Sequence, residues 1–216
     1  LTRVRDTVAI VRALLRDGEV DYDGEAIRIE NFDLWFRPHR GDMPIYISAL
    51  FPKMIRLCGE VSDGVILTRS TLDTAASIRP LIAEGASQAG RDPAKIDVTS
   101  LLPMAVADTL DAARDIMRPG VAFYAGFFPR YNRLIAEYGF PGEAAAIAKA
   151  WADGDRTGAA RLVSDALVDA TGIVGTPDDC RARIAEYRES GLDLPIISPF
   201  ARGPGAKELF EAAIRA

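Results

Sequence analysis

A chain of 216 residues, 49% hydrophobic and 26% charged, has the composition of a globular protein able to bury a substantial core. Its net charge of −5 offers no general basic field, so nucleic acid and anionic membranes are not expected partners. The apolar runs are too short to span a bilayer, and no signal sequence opens the chain, so a membrane-spanning protein is not expected.

The first residue, Leu1, already lies inside a helical pattern, so the start reads as a cut. Val4, Val8, Val11 and Leu15 recur at helical spacing and predict an amphipathic helix over Thr2–Arg16. The next stretch alternates apolar and polar residues around Asp23-Gly24, a turn dipeptide favoured in hairpins. Strands are expected at Val20–Tyr22 and Glu25–Ile29, with a third extended piece at Phe32–Phe36.

From Pro44 the pattern becomes strand, helix, strand, helix. Ile45–Ala49 reads as a strand, Lys53–Val61 as a helix, and Val65–Thr68 as a second strand entered through the turn Asp63-Gly64. A helix follows Ser70 to about Ala89 and contains Pro80, a candidate kink. The longest strand, Ile96–Ala107, contains Pro103, where a bend is expected. A helical block over Leu110–Ala170 is expected to break at Pro119-Gly120, at Gly139–Gly142 and at Asp153–Asp155.

"GTPDD" is a strong helix start. Thr176 caps, Pro177 takes the first position, and Asp178 and Asp179 offset the dipole. That helix is expected to end at Gly191, before a strand over Leu194–Ser198 and a last helix over Ala206–Arg215. Cys58 and Cys180 fall in helices without metal-type spacing, so both are expected to be reduced and the protein cytoplasmic.

Continuous apolar strands alternating with helices argue for a parallel sheet covered by helices. Four such strands would leave one sheet face bare and both edges open. The expected fold is therefore α/β, a (β/α)8 TIM barrel of which this chain supplies about the C-terminal half, strands five to eight, plus a small β-hairpin insertion.

Together, "PIYISALFPKMIRLCGEVSDGVILT", "AGRDP", "LVDATGIVGTPDDCRARIAEYRESGLDLPIISP" and the upstream "RVRDTVAIVRALLRDGEVDYDGEAIRI" resemble the bacterial luciferase-like monooxygenase superfamily. The nearest likeness is to its coenzyme F420-dependent branch, the methylenetetrahydromethanopterin reductase-like proteins. The resemblance implies an oxidoreductase passing a hydride between coenzyme F420, or alternatively FMN, and a small-molecule substrate, in a homo-oligomer. It places the first four strands before Leu1, so this stretch alone is expected to be inactive. It also implies a cofactor site at the turn after Ile45–Ala49, carried over to Ser48, Ala49, Leu50 and Phe51, and at Thr68 on the next strand end.

The family commonly has Gly-Pro before the helix, where this chain has Phe51-Pro52. A Cβ at that position excludes the positive-φ conformations glycine adopts freely. Lys53 reads as an exposed helix residue. Arg69 could grip a phosphate or carboxylate but reads equally as a surface arginine, with Ser70 beside it. Ser198 and Arg202, before a Gly203–Gly205 loop, form a second, weaker anion site. No residue is named as proton donor or acceptor.

His39, the only histidine, reads as a solvated loop residue, and a histidine-rich zinc site is excluded. Trp35, Trp151 and the aromatic run Phe123–Tyr131 read first as core, second as a substrate or subunit contact. Two other readings stay open: a non-catalytic half-barrel that binds a partner, and a non-redox, phosphate-binding barrel enzyme.

Overall fold

A computed structural model of the chain describes residues 1–200 and 205–214, apart from the side chain of Ala206. Arg202, Gly203 and Arg215, named above, lie outside the described residues. In chain order the elements begin with α1 (Thr2–Asp17), β1 (Glu19–Asp23), β2 (Arg28–Asp33), β3 (Tyr46–Ser48), α2 (Pro52–Val61), β4 (Gly64–Thr68) and α3 (Thr74–Gln88). A 3-10 turn at Pro93–Lys95 leads to β5 (Asp97–Val106), α4 (Leu110–Phe127), α5 (Pro129–Glu137), α6 (Pro141–Ala152), α7 (Arg156–Arg161) and α8 (Asp165–Thr171). The chain closes with β6 (Ile173–Gly175), α9 (Pro177–Glu189), β7 (Leu194–Pro199) and α10 (Ala206–Ile214). Packing divides them into two compact units, Leu1–Ile66 with Ser77–Val98, and Leu67–Ala76 with Thr99 onward.

In the first unit, α1 buries Asp6, Val8 and Ile10, while Val11, expected on the core face, is exposed. Asp6 explains the shift of face. Its carboxylate accepts the amides of Ala26 (2.7 Å) and Ile27 (2.9 Å) and the Tyr22 hydroxyl (2.9 Å). These bonds draw residues 24–27 into a loop held on the helix, so the tight Asp23-Gly24 turn does not form and Glu25–Ile27 are not strand. The separate third piece is also absent. Phe32 and Asp33 end β2, antiparallel to β1, and Leu34–Phe36 are irregular.

The Ala26 amide is the main reason the Asp6 carboxyl lies below the usual carboxylate range; burial opposes it, while Tyr22 and Ile27 reinforce it. β3 pairs in parallel with β4 over Tyr46↔Gly64, Ile47↔Val65 and Ser48↔Ile66. Asp63 holds the entry to both strands. Its carboxylate takes the Ile45 amide (2.7 Å) and Arg12 (2.9 Å), and its own amide donates to the Ile45 carbonyl (2.8 Å). Helices α2 and α3 meet backbone to backbone: a Cβ on Gly59 would lie 2.2 Å from the Ile82 oxygen, and one on Gly85 1.9 Å from the Arg56 oxygen. Only glycine fits at either position.

In the second unit, β5 runs parallel to β7 from Thr99↔Leu194 to Met104↔Pro199, and parallel to β6 from Met104↔Ile173 to Val106↔Gly175. The expected bend at Pro103 does not interrupt the ladder, whose register passes through Pro103↔Ser198 unshifted. β5 is buried almost throughout, as a strand covered on both faces should be. Met117, Val121, Ile147, Leu167 and Val168 form the core under α4, α6 and α8. Truncating one such side chain to alanine should cost about 2–5 kcal/mol.

The expected break at Pro119-Gly120 does not occur, and both residues lie inside α4. Proline in a helix removes one amide, and here its ring sits on the exposed side. Thr176 caps α9 as expected, and Asp179 adds a reciprocal bond that completes a capping box, each side chain serving the other's backbone amide. Each of the four expected strands forms within one residue of its expected bounds, and every pairing within a unit is parallel among these strands. β6 is an addition. No closed barrel is seen among the described residues, and none of their helices is long and apolar enough to cross a membrane.

Candidate functional site

Two strand ends carry the residues that the sequence marks. At the first, β3 stops at Ser48 and α2 starts at Pro52, so Ala49, Leu50 and Phe51 make the whole connection. Ser48 is exposed, Ala49 is buried with its amide on the Ile66 carbonyl (3.1 Å), and Leu50 and Phe51 are half-buried. Phe51 is the N-cap at φ −128°, ψ 157°, and its carbonyl accepts from Met54 (3.0 Å) and Ile55 (3.1 Å). This is ordinary extended backbone, so the loss of a family glycine strains nothing. The Phe51 side chain makes no cap bond, and Pro52 has no amide to satisfy. The first turn therefore has no side-chain cap, and the positive end of the helix dipole suits a negative or hydrogen-bond-accepting group. Lys53 is exposed, as expected.

At the second end, in the other unit, Thr68, Arg69 and Ser70 leave β4. All three are buried, and the exposed surface arginine expected at position 69 is not found: Arg69 is 3% exposed. Its backbone adopts φ 54°, a left-handed conformation uncommon for an arginine. Its amide donates to the Leu101 carbonyl (3.1 Å). One guanidinium nitrogen, Nη2, makes a long 3.4 Å bond to the Gly120 carbonyl, Cζ lies 4.3 Å from the Tyr124 ring centroid, and Nη1 is buried without a hydrogen-bond partner among the described residues. Burial pulls the Arg69 guanidinium down to about 10, with Tyr124 and Tyr131 acting weakly against it. A buried charge without a counter-ion costs several kcal/mol.

Around this arginine the polar groups are firmly tied. Ser70 and Ser100 share a hydroxyl–hydroxyl bond of 2.9 Å, and the buried Tyr187 hydroxyl donates to the Ser70 carbonyl at 2.7 Å. Tyr124 and Tyr131 meet edge to face with centroids 4.9 Å apart.

The remaining candidates separate cleanly. His39 is an exposed loop residue, and among the described residues no three His, Cys, Asp or Glu side chains are grouped to hold a metal. Trp35, expected in a core, is 95% exposed, its backbone at φ 63° held by an amide bond to Asp33. Trp151 is half-buried against Phe123, and the Arg156 guanidinium covers its ring at 3.7 Å. Phe123 and Phe127 are exposed, whereas Ala125 between them is core. Ser198 lies half-buried in β7. Cys58 and Cys180 are free, buried thiols.

The family profile for luciferase-like monooxygenases matches residues 1–194. The chain is 36% identical over 196 residues to the 5,10-methylenetetrahydromethanopterin reductase of Methanolobus tindarius, covering 89% of this chain and 58% of that protein. It is 32% identical over 213 residues to the enzyme of the same name from Archaeoglobus fulgidus, covering 96% and 63%. In three dimensions it matches the coenzyme F420-dependent tetrahydromethanopterin reductase from Methanopyrus kandleri with a TM-score of 0.85 and 28% identity, over 98% of this chain and 60% of that one. The chain thus spans about 60% of the length of the curated relatives it matches.

Proposed function

Since the chain belongs to the luciferase-like monooxygenase family, we propose that it forms part of an oxidoreductase passing a hydride between coenzyme F420 and a small organic substrate. Its relatives from Methanolobus tindarius and Archaeoglobus fulgidus are 5,10-methylenetetrahydromethanopterin reductases, and the matching Methanopyrus kandleri protein is a coenzyme F420-dependent reductase. The observation that carries the reading to particular residues is the uncapped start of α2 at the carboxyl end of a parallel strand. In parallel α/β folds ligands gather at that end of the strands.

In this reading Ser48, Ala49, Leu50 and Phe51 hold one edge of the coenzyme. The exposed Ser48 hydroxyl offers a hydrogen bond, and the positive end of the α2 dipole favours a group of negative character. Ala49, Leu50 and Phe51 supply apolar surface that sheds water. Thr68, buried at the end of β4, is carried as a coenzyme contact by the family resemblance alone. The coenzyme, when bound, supplies the two-electron hydride chemistry, and the protein supplies orientation and exclusion of solvent. The same reading takes the parallel βα units as strands five to eight of a (β/α)8 barrel within a homo-oligomer, which light scattering of the full-length protein would test.

The coenzyme assignment is tested by titrating the full-length protein with F420 and, separately, with FMN, followed by absorbance. F420 should bind and FMN should bind more weakly. Phe51→Asp, which places a carboxylate cap on α2, should weaken F420 by about tenfold, equivalent to about 1.4 kcal/mol. Tighter binding of FMN would overturn the coenzyme, and unchanged F420 affinity in Phe51→Asp would remove it from this corner.

A further inference from the structure

We infer that Arg69 is a binding residue for an oxyanion, a phosphate or carboxylate group of a ligand that reaches the end of β4. The guanidinium is buried, and among the described residues it forms no ion pair and its Nη1 has no hydrogen-bond partner. What does face it is a backbone carbonyl at 3.4 Å and the Tyr124 ring at 4.3 Å, neither of which neutralises a positive charge. Elsewhere the chain handles arginine differently. Arg5 forks onto Glu60, Arg12 reaches Asp63, and Arg114 forks onto Asp169, all from partly exposed positions. Among the described residues, Arg69 is the arginine that is buried, and no carboxylate faces it.

A residue that served only to fill space would gain nothing from the charge, and a methionine would fill it without the desolvation. The planar fork of arginine matches a two-oxygen anion, and an incoming phosphate or carboxylate supplies what the site lacks. Because Nη1 is buried, an anion reaches it with a rotation of the guanidinium off the Tyr124 face. The ring then acts as a resting place, and the firm Ser70–Ser100 and Tyr187 bonds keep the backbone fixed while the side chain moves. This inference goes beyond the coenzyme reading and stands or falls without it, since it concerns the anion and not the redox ring.

The test uses inorganic phosphate and acetate as probes on the full-length protein, at constant ionic strength with chloride as the reference. Thermal denaturation should show phosphate or acetate raising the melting temperature of the wild type by several degrees. Arg69→Met should lose that response while melting at or above the wild type without anion. Arg69→Lys, which keeps the charge but not the fork, should bind the responding probe about tenfold more weakly; this variant also decides the matter if Arg69→Met does not fold. The Arg69 side-chain Nε–H resonance should shift on adding the same probe.

An equal anion response in Arg69→Met, no response of the wild type to either probe, or an unmoved Nε–H resonance would overturn the assignment. F420 titration of Arg69→Met then identifies the source. A loss parallel to the phosphate loss assigns the anion to the coenzyme, and unchanged F420 affinity assigns it to the substrate. Failure of F420 to bind the wild type would sink the coenzyme reading while leaving the phosphate result intact.

Discussion

The two strand ends are built on opposite terms. After β3 the backbone is relaxed, the side chains are small or apolar, and the helix start has no side-chain cap. After β4 a non-glycine residue sits at φ 54°, and a charged group is buried with no counter-ion among the described residues. The first arrangement occurs wherever a strand turns quickly into a helix, so it says little by itself. The second is unfavourable in both backbone and charge, and such arrangements persist where a function requires them. Cost, not accessibility, is what sets one end apart.

That contrast can be broken first at the Ser70–Ser100 pair, where the largest loss is expected. Ser70→Ala or Ser100→Ala alone leaves a fully buried hydroxyl without its partner and should lose about 1–3 kcal/mol in urea unfolding. The double variant should lose less than the two single losses added. Strict additivity would mean that the pair does not brace the β4 end.

Next comes Tyr187→Phe, which strands the Ser70 carbonyl and should lose about 1 kcal/mol. It should also change the alkaline limb of stability. Burial pushes the Tyr187 hydroxyl up to about 12, whereas an unfolded tyrosine titrates near pH 10. The folded state therefore keeps a proton that the unfolded chain releases. This contribution is whole below about pH 10 and is lost as pH rises towards 12. Cys58 and Cys180, pushed up to about 11 and about 12 by burial, act in the same direction. Tyr187→Phe should thus flatten the alkaline loss without abolishing it, as urea midpoints between pH 8 and pH 11 would show.

The smallest effect belongs to the relaxed end. Phe51→Ser gives α2 the side-chain cap it lacks and should add about 0.5–1 kcal/mol, less whatever the half-buried ring contributes. A clear loss instead would mean that Phe51 is held in place more tightly than its open geometry suggests.

The sequence was most legible where a single local rule governs. Apolar runs bounded by turns located β3, β4, β5 and β7 to within a residue, and Thr176-Pro177 announced α9. It was least legible where a distant side chain overrides a local preference. Asp23-Gly24 is a sound hairpin turn until Asp6, many residues away, claims the amides of Ala26 and Ile27. Pro119-Gly120 should break a helix, but α4 is carried across it by the packing of Met117 and Val121 on its buried side. β6, only Ile173–Gly175, is too short to have a period at all. At the site, the residue types of Ser48–Phe51 and Thr68–Ser70 could be read, but the burial of Arg69 could not. No pattern along the chain distinguishes a charged residue facing water from one facing a tyrosine ring.

One feature of the interior makes these experiments easier to run. Both native thiols are enclosed and their ionisation is suppressed, so they should ignore maleimides and mild oxidants at neutral pH. A cysteine introduced at an exposed position such as Lys149 would then be the reactive thiol among these 216 residues. A fluorophore or spin probe could be attached there without first stripping out the native sulfur, and each strand end could be followed in an otherwise unaltered protein.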